Sequence, residues 1–440
     1  MGDFVSFCIF LKVFVFTLAS VSLTDYNTYH EYQGNGDHAM HPFVKADILL
    51  PASAPMETWS VIACDQFVSQ PEYWEAVQKL VGENPSTLNL ILPESELEGD
   101  CAQAICKINE TMAKYLENGI FRLEENCFIY VERTLQNGTI RKGVVGAVDL
   151  TAYDFTPQSK AAIRATEKTV AERIPPRMAI RRNAPVELPH VLLLCDDEEK
   201  TLVESLTAKK DTLPLLYDFD LMLDGGKIRG WLVANADARA FEDQISAYEQ
   251  RMYSKYGKDG VLYAVGDGNH SLASAKGCYE ENIACENARY ALVELGNIHD
   301  DAQVFEPIHR IIKETDAPAL LRAMETAIGK ENGAPIHWHI GNESGTFFVH
   351  DPQGLLPVGI VQEFLDGYMK DHPGIIDYIH GEEDLRQLAL ADNALGLILP
   401  PVEKNAFFQG IIAGGTLPRK TFSMGHAREK RYYLEARKIK

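Results

Sequence analysis

A chain of 440 residues, 46% apolar and 24% charged, can bury a large core and has room for two domains. Its 42 basic and 63 acidic residues leave a net charge of −21, a field that repels polyphosphate backbones and argues against a nucleic-acid partner. The eight cysteines form no Cys-x-x-Cys pair and no Cys/His spacing of the zinc type, so they read as reduced thiols of a cytoplasmic protein.

In chain order, Phe4 to Leu23 is apolar over about the length of a bilayer span. Asp3, however, stands where a secretory leader carries positive charge, and Lys12 splits the run. Residues 1–40 are read as an N-terminal extension, either a start placed too far upstream or a signal, ahead of a body not expected to insert stably in a membrane. Trp59 to Cys64 reads as a strand that delivers Asp65 to its end, as a site carboxylate or as a turn cap. Pro71 opens a helix with Tyr73, Trp74, Val77 and Leu80 on one face. Leu88 to Leu92 reads as a strand, and Cys101 to Glu117 as a helix buried through Ile105, Ile108, Met112 and Tyr115. Cys127–Thr134 and Gly143–Leu150 are two strands of a hairpin signalled by Asn137-Gly138. Ser159 to Ile174 is read as a helix stopped by Pro175-Pro176, and a basic patch of Arg177, Arg181 and Arg182 follows. There Arg164 or Arg177 can clamp a phosphate bidentately, or Arg164 and Glu167 are plain i, i+3 partners. Asp196-Asp197 at the end of an apolar strand suits either Mg²⁺ held through water or a solvated turn.

Val261 to Lys276 has the densest chemistry. A short apolar run leads into Gly266-Asp267-Gly268 and then into a small-residue helix, with Asn269 or Ser271 as the expected N-cap. This places Asp267, His270 and the N–H groups of a helix start on one surface, an arrangement that favours an anion; the alternative is ordinary Asp-Gly-Asn turn chemistry. Further on, Glu306, His309 and Arg310 cluster around Pro307. Gly414-Gly415 with Pro418, Arg419, Lys420 and Thr421 can close over an anion or form a surface loop. No Walker-type loop, dinucleotide fingerprint or nucleophile elbow occurs, so a dinucleotide cofactor is not expected.

Asp267-Gly268-Asn269-His270 resembles the Asp-Gly-His-His-Arg signature of domain-of-unknown-function family 1015 (DUF1015), and similar signatures occur in free-serine kinases of the ParB/sulfiredoxin-like superfamily. Val61 to Gln66, Thr166-Glu167-Lys168-Thr169, Glu306 to Arg310 and Leu417 to Phe422 resemble further motifs of that family in the same order, so the resemblance spans about residues 41 to 430. Asn269 and Ser271 depart from the signature, replacing its first His and its Arg. The resemblance implies a phosphotransferase acting on a small hydroxylated metabolite such as free serine, using Mg²⁺ and ATP or ADP. In this reading Asp267, His270 and Asp65 are catalytic, and Asp267 also binds metal. Gly268, Asn269, Arg164, Glu167, His309, Arg310 and Lys420 bind substrate or phosphate. The alternative is a non-catalytic sensor or scaffold that binds a nucleotide or an anionic metabolite. The expected fold is mixed α/β (α+β), with a large mixed-sheet domain at 41–312 and a smaller C-terminal α/β domain at 313–440.

Overall fold

Gly138 takes φ +83°, and around its turn the strands Phe121–Thr134 and Ile140–Asp149 pair antiparallel, as the Asn-Gly signal predicts. In this computed structural model, residues 41–97, 101–351, 354–418 and 420–440 are described. The apolar stretch Phe4 to Leu23, the rest of the extension and Arg419 lie outside the described residues. Among the described residues, no helix is long and apolar enough to cross a membrane.

The fold is mixed α/β, and the hairpin sits inside an eleven-stranded sheet. From one edge the order is Leu215–Asp220, Lys227–Val233, Phe121–Thr134, Ile140–Asp149, Tyr290–Asn297, Leu192–Cys195, Tyr263–Asp267, Ile163–Ala165 and Tyr153–Asp154, with two short strands paired to the hairpin. Cys127, Ile129 and Val131 enter one apolar cluster while Phe128 and Tyr130 enter another, so a continuous apolar run covers both faces with period two. A second, antiparallel sheet is built on Phe305–Lys313, flanked by Leu395–Ile398 and Ile375–His380, with Phe422–Met424 paired to its first residues. The chain then returns to the first sheet's surroundings, where Tyr432–Tyr433 pairs with Val61–Ile62 and Arg437–Lys438 with Val186–Glu187.

Several expectations are corrected. Ser159 to Ile174 is not a helix: Ile163–Ala165 is a strand parallel to Tyr263–Val265, and the helix runs over Ile174–Arg182. Pro175 and Pro176 fall in that helix's first turn, where a missing N–H leaves no bond unmade, so they start the helix rather than stop it. Thr87–Leu90 is a 3₁₀ turn instead of a strand, and the strand expected from Trp59 is a short helix, Met56–Trp59, followed by Val61–Ile62. Leu80 is 49% exposed although Tyr73, Trp74 and Val77 are buried as expected.

Asp196 and Asp197 form neither a solvated turn nor an open carboxylate pair, because both are buried. Asp196 meets His299 Nε2 at 2.7 Å and Lys255 Nζ at 2.9 Å, and Asp197 meets Arg251 at 2.9 Å. Asp196, Glu198 and His299 lie close enough together to hold a metal ion, but the Lys255 ammonium already bridges the two carboxylates. The network satisfies buried charges and ties Leu192–Cys195 to the long helix Asn235–Tyr256.

Candidate functional site

Strand Tyr263–Asp267 ends on Asp267, the chain turns at Gly268, and the helix Asn269–Glu281 begins at once. Gly268 has φ +85°, and a Cβ there would lie 3.0 Å from Val191 Cα, so the turn needs glycine for conformation and for space. Gly268 itself is the N-cap, correcting the expected Asn269 or Ser271. Asn269 is instead the first helical residue, with its Oδ1 buried and without a hydrogen-bond partner. A Gly268→Ala variant should lose about 1–2 kcal/mol through the left-handed backbone alone, read as a lower thermal midpoint.

This turn opens into a cavity of about 1320 Å³. Asp65, Glu167, Asp267, Gly268, Asn269, His270, His309 and Lys420 all line it, although they come from distant parts of the chain. Asp267 Oδ1 accepts the Gly268 N–H at 2.9 Å, and Oδ2 lies 3.0 Å from Lys430 Nζ. Burial works to raise the Asp267 pKa, but the Lys430 ammonium, His190 and the backbone bond outweigh it and hold the carboxyl below its ordinary value. Glu167 goes the other way: burial pushes it up and the nearby Asp267 adds to this, against the opposing pull of Lys420.

His270 Nε2 accepts the Val170 N–H at 3.1 Å, so the neutral ring carries its hydrogen on Nδ1. Burial first, and then Arg177 and Arg173, push its pKa down to about 4. Between about pH 6.5 and pH 4 the unfolded histidine binds a proton that the folded one does not, so stability falls as pH is lowered through that window. His270→Gln should remove this part of the slope, about 1–2 kcal/mol after allowance for screening of a partly buried ring. Urea midpoints of both proteins at pH 7 and pH 4.5 measure it, and parallel pH dependences would contradict it.

Two expected ligand contacts are placed elsewhere. Arg164 does not line the cavity; its guanidinium is bound to the carbonyl oxygens of Ala161 and Asp259. Arg310 is fully buried beside Gln362 and the Ile308 carbonyl, with its guanidinium 4.6 Å from the centre of the Tyr378 ring. The cavity wall runs over Glu306, Pro307, Ile308 and His309 and stops short of Arg310, whose guanidinium is held by Gln362, the Ile308 carbonyl and the Tyr378 ring. His309 accepts the Leu399 N–H on Nδ1 at 3.2 Å, and burial lowers its pKa.

Arg177, offered by the sequence as a phosphate clamp, does line the cavity, whereas other lining groups escape a reading of the sequence. Lys430 and Tyr433 come from the returning C-terminal segment, and His190 precedes the strand Leu192–Cys195. Arg173 and Arg177 flank Glu94 at 4.0 and 2.8 Å. The basic patch around residue 177 was the one available signal; nothing around Lys430 or His190 distinguishes them. Arg133 holds the segment before the cavity by donating to the carbonyl oxygens of Arg428, Glu429 and Lys430 at 2.6–2.8 Å.

The model of a family described as "Protein of unknown function (DUF1015)" matches residues 46–438, nearly the whole described chain. The chain belongs to the DUF1015 family. No curated protein matches it. Among solved structures, C-terminally truncated SbnI from Staphylococcus aureus is similar at 11% identity and a TM-score of 0.33, over 64% of this chain and 83% of that one. A free serine kinase in complex with AMP is similar at 10% identity and a TM-score of 0.33, over 67% and 90%. A conserved hypothetical protein from Pyrococcus furiosus is similar at 11% identity and a TM-score of 0.30, over 66% and 90%. These are distant likenesses, whereas DUF1015 membership extends across both sheets and every wall of the cavity.

Proposed function

We propose that the cavity transfers a phosphoryl group from ATP or ADP, with Mg²⁺, to a hydroxyl group of a small metabolite such as free serine. The observation that carries this reading is Asp267 standing at the start of the helix Asn269–Glu281, faced by Lys430, inside a cavity of about 1320 Å³ also lined by Lys420 and Arg173. Ligand pockets commonly measure roughly 300–1,000 Å³, so a donor and an acceptor can be held together. The bond between the terminal phosphorus and the leaving nucleotide oxygen breaks, a bond to the acceptor oxygen forms, and the hydroxyl proton passes to a cavity carboxylate. Such a transfer needs chiefly positioning and charge neutralisation.

Asp267, held ionised, would be the carboxylate that holds Mg²⁺ if Lys430 gave way to it, since Mg²⁺ usually needs only one or two carboxylates beside phosphate oxygens and water. Lys420, Lys430 and Arg173 offset phosphate charge. Gly268 lets the backbone approach the ligand, and His270 offers its Nδ1 hydrogen. Glu167, whose pKa burial raises, lines the same cavity, and Asn269 and His309 supply further polar contacts.

One observation favours binding without turnover: both Asp267 oxygens are already engaged, by the Gly268 N–H and by Lys430. That arrangement suits a sensor of a nucleotide or an anionic metabolite. The deciding experiment incubates the full chain with Mg²⁺, ATP or ADP and a panel of small hydroxylated metabolites, and follows phosphorylated product. Product formation supports the transferase. Nucleotide binding by calorimetry without any product would replace it with the sensor.

A further inference from the structure

One wall of the cavity carries His190, Tyr433 and Cys64 side by side. His190 is 7% exposed, and its ring meets Tyr433 edge-on, with centroids 5.5 Å apart and planes at 87°. The Tyr433 hydroxyl lies 3.0 Å from His190 Nδ1 and 3.1 Å from Cys64 Sγ, and it accepts the Cys64 N–H at 3.4 Å. A phenol has one hydrogen to give, and an imidazole nitrogen is a far better acceptor than a thiol sulfur. Burial keeps both the phenol and the thiol protonated, the thiol at about 12. Tyr433 therefore donates to Nδ1, which leaves Nε2 as the nitrogen that carries a hydrogen.

That Nε2 faces Asp65 Oδ1 across 3.9 Å. The gap is too long for a direct hydrogen bond and suits one oxygen that accepts from the ring and donates to the carboxylate. Both residues line the cavity that holds Asp267.

We infer that His190 and Asp65 form the subsite for the acceptor's hydroxyl group, with His190 donating Nε2–H to its oxygen and Asp65 accepting its hydrogen. The inference rests on the phosphotransfer reading and adds to it where the acceptor binds and which carboxylate receives the proton. His190 touches the acceptor; Tyr433 acts through His190 as a positioning residue.

The test uses the full chain with ¹⁵N-labelled histidine. His190 should show the Nε2–H tautomer, and Tyr433→Phe should turn it into a mixture. Titration with L-serine should move the His190 resonance, while L-alanine, which differs only by the hydroxyl, should leave it in place. Where turnover is found, His190→Ala should raise the acceptor KM about tenfold or more with the nucleotide KM unchanged. His190→Gln, which keeps an N–H donor, should restore most of that loss and guards against a folding defect. Resonance movement without turnover would retain the subsite and overturn the kinase. Turnover with an unmoved resonance and an unchanged acceptor KM would overturn the subsite and retain the kinase. An Nδ1–H tautomer, or an unmoved resonance without turnover, also overturns the subsite.

Discussion

Arg431→Met is expected to lower the unfolding free energy by about 3–5 kcal/mol, the range for removing one member of a buried charge network. Arg431 Nε meets Glu294 at 2.6 Å and its Nη2 meets Glu435 at 2.6 Å, while Tyr217 donates to the other Glu435 oxygen at 2.6 Å. All four side chains are buried. Methionine fills much of the volume but leaves two carboxylates without their cation, so the desolvation cost of both is uncovered. The same change should weaken nucleotide binding, because Arg431 lies between Lys430, which holds Asp267, and the Tyr432–Tyr433 strand that seats His190. Urea unfolding followed by circular dichroism reads the first effect and calorimetry the second. A midpoint within error of the parent protein would show that the network contributes nothing.

Local chemistry made part of this arrangement legible. Gly266-Asp267-Gly268 sits between an apolar run and small helix-forming residues, so both the turn and the helix starting at Asn269 could be read from the chain. The hairpin around Gly138 was legible for the same reason. Where a local rule admits two readings, the sequence misleads. Pro175-Pro176 is compatible with a helix end or a helix start, and only the strand Ile163–Ala165, recruited by the parallel strand Tyr263–Val265, decides between them. His309 and Arg310 look like one motif, yet the cavity wall ends at His309 and Arg310 is bound by Gln362 and the Ile308 carbonyl. The partners of Asp267 and Asp65 were beyond reach for another reason. Lys430, at the end of a 163-residue separation from Asp267, and His190 stand in stretches with no periodicity or turn chemistry of their own. Their place is set by the C-terminal pairing of Tyr432–Tyr433 with Val61–Ile62, a long-range contact that no local pattern announces.

Asp267→Asn should reduce phosphoryl transfer by about 100- to 10,000-fold, the span for removing a positioned ionisable group from a transition state. The variant keeps the size and the turn but loses the charge, so the helix start and Gly268 should stay in place while the proposed Mg²⁺ contact would be lost. Its stability should change in a pH-dependent way. The folded Asp267 carboxyl is held below its ordinary value despite burial, chiefly by Lys430 and His190, so the folded state resists protonation. The contribution of its ion pair is therefore fully present above the unfolded carboxylate value of about 3.9 and is lost as pH falls through the lower folded value. Parent and variant should differ by a constant amount from pH 6 to 8 and converge toward acid. A transferase in which Asp267 merely pairs with Lys430 would show this stability pattern with turnover preserved, so measuring both on one preparation separates a structural ion pair from a catalytic one. Turnover within about threefold of the parent would move the centre of the chemistry away from Asp267, since threefold corresponds to less than 1 kcal/mol of barrier.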